Sequence, residues 1–265
     1  MKKLLAFSLF MSILCLVLGC VPQEAPPTTM PVVTTKPTTE ATTEATTEPT
    51  TTPTTLPEHS PLYLPHLSVE DVIRYFNEVC LDAEIVNAGD PTLLQKWVVP
   101  IRYYILGDYT EEDKATLDSF VSWLNQIEGF PGMHIVEDPL LSSLGIHFYD
   151  LDDYLTLMGE NFHGTDGGVT FWYNGANQIY DATIGYRTDI DQQTRNSVIL
   201  EEIYNGLGPI NDTQLRTDSI IYAGYSIPQS LSEEDALILK LLYHPQMECG
   251  MTAAQCEEVI RQLYY

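Results

Sequence analysis

Basic side chains are scarce in this chain: its 265 residues hold 12 Lys and Arg against 37 Asp and Glu, a formal charge of −25. A surface of that sign repels nucleic acid and anionic lipid head groups, so neither is an expected partner. Histidine is sparse as well, six in all, and no two stand at a spacing that lets them grip one metal ion. The five cysteines include no Cys-x-x-Cys pair and no Cys/His zinc spacing. A nucleophile elbow, a Gly-rich phosphate loop and an internal repeat are all missing from the sequence.

Only one long apolar run is present. Leu4–Leu18 follows Lys2 and Lys3 and ends at Gly19-Cys20, so residues 1–19 read as a secretion signal. Val17-Leu18-Gly19-Cys20 is similar to a bacterial lipobox. That implies cleavage before Cys20 and a diacylglyceryl, palmitate-type anchor on its thiol. The run is short against the roughly 20 residues a spanning helix needs, so the expectation is a protein anchored to the membrane and not crossing it. Residues 20–60 carry that lipidated Cys and a Thr/Pro-rich stalk, TTKPTTEATTEATTEPTTTPTT, which has too little apolar surface to offset its ordering entropy. Residues 61–265 are then one domain, large enough for a single core. The expected location is the cell surface, outside the cytoplasm. Disulfides persist there. Of Cys80, Cys249 and Cys256, one pair and one leftover thiol are allowed, with the pairing open.

Within the domain, Ser68-Val-Glu-Asp71 starts a helix with Val72, Phe76 and Val79 on its apolar face. Lys96–Tyr104 reads as a strand, with Pro100 marking an edge or bulge. Thr110-Glu-Glu-Asp113 opens a second helix to about Ile127, striped by Leu117, Val121 and Leu124. Met133–Val136 and Leu144–Phe148 are strands. Gly168–Tyr173 and Ile179–Tyr186 alternate across Asn174-Gly175-Ala176-Asn177, a hairpin signal. A third helix runs from about Gln192 to Leu207 and stops at Gly208-Pro209. Leu231-Ser232-Glu-Glu-Asp235 opens a fourth, to Pro245, and Thr252-Ala-Ala-Gln255 a last one, with Met251 and Cys256 placed for a hydrophobic staple. Helices, then strands, then helices predict an α+β fold with a mostly antiparallel or mixed sheet.

The third helix carries the candidate chemistry. Ile199, Leu200, Ile203 and Leu207 make one face, while Glu201 and Asn205, one turn apart, project together on the other with Glu202 beside them. That spacing fits the wet face of an amphipathic helix. It also fits a catalytic frame. Glu201-Glu202-x-x-Asn205-x-x-Gly208-x-x-Asn211 is similar to the His-Glu-x-x-His-x-x-Gly-x-x-His of a zinc endopeptidase, with an oxygen side chain at every His position. In such a protease two imidazoles one turn apart hold the ion and the Glu polarises its water. Neutral amide oxygens make Asn205 and Asn211 poor zinc ligands. Glu201 and Asp212 suit a harder ion, Ca²⁺ or Mg²⁺. No metal or other cofactor is otherwise expected.

Three features in order extend this frame over roughly residues 198–243. Asp218-Ser219-Ile220-Ile221-Tyr222 resembles the Ser-Ile-Met-Tyr segment of the matrixin branch of metzincins. Leu231-Ser-Glu-Glu-Asp235 through Leu241-Leu242-Tyr243 resembles their next helix. The chain is closer still to domain-of-unknown-function family 2927, bacterial and often lipoprotein sequences. The matching positions are Glu201, Glu202, Asn205, Leu207, Gly208, Asn211, Asp212, Ser219, Ile220, Leu242, Tyr243, Pro245, Gly250 and Met251; Asn205 stands where that family's pattern has Gln. The resemblance implies a metzincin (zincin)-like mixed sheet with an antiparallel edge strand, a central helix and C-terminal helices. Loss of all three His, and of the Met at Ile221, speaks against zinc proteolysis.

The expected function is therefore a surface lipoprotein whose degenerate metzincin-like domain binds or scaffolds, taking a peptide or cell-wall ligand along the edge strand by strand addition. The alternative is a hydrolase in which Glu202 is the general base and Glu201 with Asp212 holds a non-zinc metal or orients water. A third reading makes Asn211 and Asp212 structural, capping the turn after Gly208. His59, His66, His134, His147 and His244 are expected to be structural. His163, in the Gly-rich loop before the edge strand, is the histidine nearest a site role.

Overall fold

The computed structural model describes residues 59–81 and 92–265. The secretion signal, Cys20 and the stalk lie outside the described residues. Among those described, no helix is long and apolar enough to cross a membrane.

Helix α1, Val69–Cys80, starts where Ser68 Oγ accepts the Asp71 N–H at 3.1 Å. Helix α2, Glu111–Leu124, starts at a full capping box between Thr110 and Asp113. The strand expected over residues 96–104 is two pieces, β1 (Lys96–Trp97) and β2 (Ile101–Gly107). Pro100 lies in the gap, where its missing N–H could not join a ladder. Strands β3 (Met133–Ile135), β4 (Leu144–Tyr149), β5 (Gly167–Tyr173) and β6 (Gln178–Arg187) fall where the alternation placed them. Helix α3, Leu151–Met158, was not expected. Helices α4 (Gln192–Gly206), α5 (Glu233–Tyr243) and α6 (Ala253–Leu263) complete an α+β fold.

The sheet is mixed but mostly parallel, which corrects the antiparallel half of the expectation. β3, β2, β4 and β6 lie side by side in parallel, and β5 joins β6 antiparallel. Connectivity explains this. Only β5 and β6 are joined by a tight turn, in which Asn174 Oδ1 accepts the N–H groups of Ala176 and Gln178 and Asn177 takes φ 58°. The other neighbours are joined by longer crossovers, which return the chain in the same direction. Ile179 pairs with Trp97 on one side and Tyr173 on the other, so β1 and β4 follow one another along the same side of β6.

Helices α2 and α4 cover one face of the sheet, over Ile146, Phe148, Ile184 and Tyr186. Helix α3 and the short turn Glu160–Phe162 sit on the opposite face. They fit there because Gly168 and Gly185 have no side chain: a Cβ on Gly185 would stand 2.9 Å from Met158 Cγ and 3.0 Å from the Tyr154 ring, and one on Gly168 would strike Phe162.

Candidate functional site

Helix α4 runs through the interior. Asp191 caps it by accepting the Thr194 N–H at 3.0 Å, and every residue from Ser197 to Gly206 is buried. The wet-face reading of Glu201, Glu202 and Asn205 is thus corrected. Glu201 is 7 % exposed, Glu202 5 % and Asn205 4 %. The apolar face packs where the periodicity put it. The polar face is covered as well, because β5 and β6 close over α4 from the sheet side. A helix buried all round has lost the contrast that defines amphipathicity.

The chain leaves α4 through Gly208, at φ +130°, where a Cβ would stand 2.5 Å from the Gln95 carbonyl. That close approach requires Gly. The turn then docks on the end of α1. Ile210 N and Asn211 N donate to the Val79 carbonyl at 2.7 and 3.2 Å, and Asn211 Nδ2 donates to the Glu78 carbonyl at 3.0 Å. Thr213 Oγ1 and Gln214 N both donate to the Glu78 carboxylate, at 2.6 and 2.8 Å. Asn211 therefore helps to hold the turn, and Asp212 lies half-buried beside it.

Glu202 stands where β5 begins. A Cβ on Gly167 would strike Val198 and come within 3.1 Å of Glu202 Cγ, so this Gly lets the strand lie against the helix. Two phenols lie near the carboxylates. Burial pushes the Tyr154 hydroxyl up, and the charge of Glu202 adds to that. Burial does the same at Tyr186, followed by Glu202 and Glu201. Both phenols stay protonated: Tyr186 donates to the Ile199 carbonyl at 3.1 Å, and Tyr154 shares a 2.7 Å hydrogen bond with Thr165 Oγ1. On the same helix face, Asn205 Oδ1 is buried with no hydrogen-bond partner. A buried acceptor left unmade costs about 1–3 kcal/mol, so it calls for an explanation.

The segment Ser219–Tyr222 is held by Asp235 of α5. Asp235 accepts from Tyr75 Oη (2.6 Å), Ser219 Oγ (2.7 Å), Ile220 N (3.2 Å) and Ser232 N (3.2 Å). The Leu-Ser-x-x-Asp motif is in this way both a helix cap and a tie.

The histidines stay apart. His66 Nε2 meets Glu234 at 2.7 Å, and His59 stacks on Tyr63. His147 is wedged between Tyr104 and Tyr149, and burial pushes its pKa down. His244 accepts the Gln246 N–H, and His134 and His163 are exposed. Among the described residues, no three His, Cys, Asp or Glu side chains gather to hold a metal. The candidate positions Glu201, Asn205 and Asn211 do not fit zinc: one carboxylate and two neutral amides, one of them committed to Glu78, are weak donors for a borderline-soft ion.

Sequence reasoning missed Tyr154, since α3 itself was missed. The signal was there: Asp150 caps α3 by accepting the Asp153 N–H at 3.1 Å. The unpartnered oxygen of Asn205 has no signature in sequence, because it depends on what surrounds it.

The chain belongs to the protein family of unknown function DUF2927, whose model matches residues 69–262. No curated protein matches it.

Proposed function

We propose that the protein is a surface lipoprotein, anchored through Cys20, whose domain is a degenerate metzincin-like fold used for binding and not for zinc proteolysis. The strand order, with one antiparallel strand beside a buried central helix, supports the metzincin-like reading. So does the order of Glu202, Gly208 and the Ser219–Tyr222 tie along the chain. The observation that carries the binding role is the unpartnered Asn205 Oδ1 on the face of α4 that also bears Glu201 and Glu202. An orphan acceptor beside carboxylates suits a ligand that brings N–H donors, and a peptide or a peptide-bearing cell-wall fragment has them. The ligand would contact this face of α4 from the side of β5, where Gly167 lies against Val198 and Glu202. Calorimetric titration with a set of wall-peptide fragments tests this: micromolar binding that Glu202→Gln weakens at least tenfold is expected, and no binding across the set would sink it.

Burial of both carboxylates favours one second reading, a hydrolase in which Glu202 is the general base and Glu201 with Asp212 holds Ca²⁺ or Mg²⁺. One equivalent of such an ion by elemental mass spectrometry, together with a hydrolytic activity abolished by Glu202→Gln, would replace the first reading with this one.

A further inference from the structure

A groove runs between α2 and the start of α5. Its volume is about 660 Å³, within the range of small-molecule sites. One wall is a single stripe of α2: Glu112, Ala115, Thr116, Ser119, Phe120 and Trp123 recur at three- and four-residue spacing along about 16 Å of helix axis. This stripe flanks the one that α2 buries, which holds Leu117, Val121 and Leu124. The other wall is formed by residues 229–233 and Ala236 of α5, and Leu200 of α4 joins the lining. Ala115, Ser119 and Ala236 are small, which keeps the space open. The loop wall is tied in place, because Gln229 Nε2 donates to the Gln193 and Ile227 carbonyls, both at 3.0 Å.

The lining has a definite chemistry. Phe120 and Trp123 stack, with ring centroids 5.9 Å apart and planes 24° from parallel. Leu200 and Leu231 add apolar surface, and Trp123 and Leu231 are only partly buried. The charges are all of one sign: among the described residues, no Lys, Arg or His lines the groove, while Glu112 and Glu233 do. Glu112 accepts from the neutral Asn196 Nδ2 at 2.9 Å, and Glu233 is exposed. Both helices begin beside the groove, and a helix start by itself favours an anion. Here that preference is already met. Thr110 closes a capping box with Asp113, and Ser232 closes one with Asp235. An incoming ligand therefore meets aromatic and apolar surface beside two further carboxylates, on a chain of formal charge −25.

We propose that this groove binds a small organic cation, an ammonium or quaternary ammonium group carried on an apolar body. The apolar body covers Phe120, Leu200 and Leu231. The charge is attracted by the aromatic ring faces and by the carboxylates of Glu112 and Glu233. The occupant is a small molecule and not an extended peptide, because the walls are helices and a loop. No strand edge borders the groove to pair with a peptide backbone. The site is independent of the reading given to Glu202. Leu200 and Glu202 stand two positions apart, roughly 200° around the helix, and so face opposite sides of α4.

Calorimetric titration of the full chain with benzyltrimethylammonium tests this, at about 0.15 M salt to screen the overall charge. Phenylpropionate, similar in size and opposite in charge, is the comparison. The cation should bind about tenfold tighter than the anion, or better. Trp123→Leu keeps an apolar side chain and removes the ring, and should weaken the cation about tenfold. Because loss of the stack on Phe120 could unsettle the fold, two variants at exposed positions accompany it. Glu233→Gln should weaken the cation about threefold. Ala115→Arg places a tethered guanidinium in the groove and should abolish capture while the melting temperature holds. Glu258→Gln, an equal loss of charge on α6, should bind like its parent. No binding of the cation, equal affinity for cation and anion, equal losses in Glu233→Gln and Glu258→Gln, or undiminished capture by Ala115→Arg would each overturn the assignment.

Discussion

The two ends of α4 bury polar groups in opposite ways. At the N-terminal end Asp113, fully buried, accepts from Arg195 Nε at 2.7 Å and from Gln192 Nε2 at 2.6 Å. The rest of the Arg195 guanidinium is spent on the carbonyls of Thr188 and Ile190 and on Gln192 Oε1. Each charge has its partner and each lone pair its donor, and the result pins α4 to α2. At the other end, Asn205 keeps an acceptor with no donor, next to Glu201 and Glu202. Closed networks such as the first rigidify a fold, while an incomplete one costs stability unless something completes it. The contrast separates the polar residues that hold α4 in place from those available to a ligand.

Breaking the closed end should have the largest effect. Arg195→Ala leaves Asp113 charged, buried and short of its main partner, a change that typically costs about 3–5 kcal/mol. Chemical denaturation should show that loss, with the midpoint moving and the slope unchanged. The same pair gives a pH signature. Burial pushes the Asp113 carboxyl up, but hydrogen bonds from Arg195, Thr110 and Gln192 outweigh that and hold it below its ordinary value. Glu234 is held down likewise, burial notwithstanding, by His66 and Arg216. For acids so lowered, the stabilisation is fully present above about pH 4 and is lost as pH falls through the folded-state values. Melting temperatures should therefore drop below pH 4 in the parent and drop less in Arg195→Ala, where an unpartnered Asp113 gains from protonation. Equal slopes in the two proteins would mean that the pair does not set the acid limit.

A middle-sized effect should come from the seam between β5 and α4. Gly167→Ala puts a methyl against Val198 and beside Glu202 Cγ, so the strand must move off the helix. Overpacking of this kind costs roughly 1–3 kcal/mol. If the ligand contacts this seam, ligand capture should fall further than stability does. Gly175→Ala, in the hairpin turn, has nothing within 4 Å to meet and serves as the control, with a change inside about 0.5 kcal/mol.

Much of this contrast was hidden in the sequence, and for a physical reason. What local chemistry controls was legible: the Asp235 cap of α5, the Asn174–Asn177 hairpin and the stop at Gly208 all rest on residues within a few positions of each other. The Asp113–Arg195 pair joins residues 82 apart, and no periodicity announces it. The burial of Glu201 and Glu202 depends on β5 and β6 covering a face that reads as polar, so the pattern alone pointed to water. Helix α3 has eight residues, too few for a stripe, and only its cap at Asp150 gave a local sign. The parallel sheet followed from connection lengths that were visible in the sequence, yet the order of elements suggested the opposite sense.

The smallest change sharpens the comparison most, because it separates a ligand site from a flaw in packing. Asn205→Leu replaces the orphan amide by an apolar group of similar shape. If Asn205 Oδ1 is unsatisfied in the free protein, removing it relieves part of a penalty of about 1–3 kcal/mol. A gain of about 1 kcal/mol would raise the melting temperature by roughly 2–4 °C in a domain of this size. The same substitution removes the acceptor a ligand would use, so capture of wall peptides should be lost while the protein becomes more stable. Stability and binding moving in opposite directions is the mark of a site kept at the expense of the fold. A fall in melting temperature would instead show that the amide supports the structure, and the two ends of α4 would then differ in degree only. Asn205→Gln, the residue of the family pattern, distinguishes these cases further: a ligand contact set by reach should change with one added methylene, while a merely tolerated polar group should not.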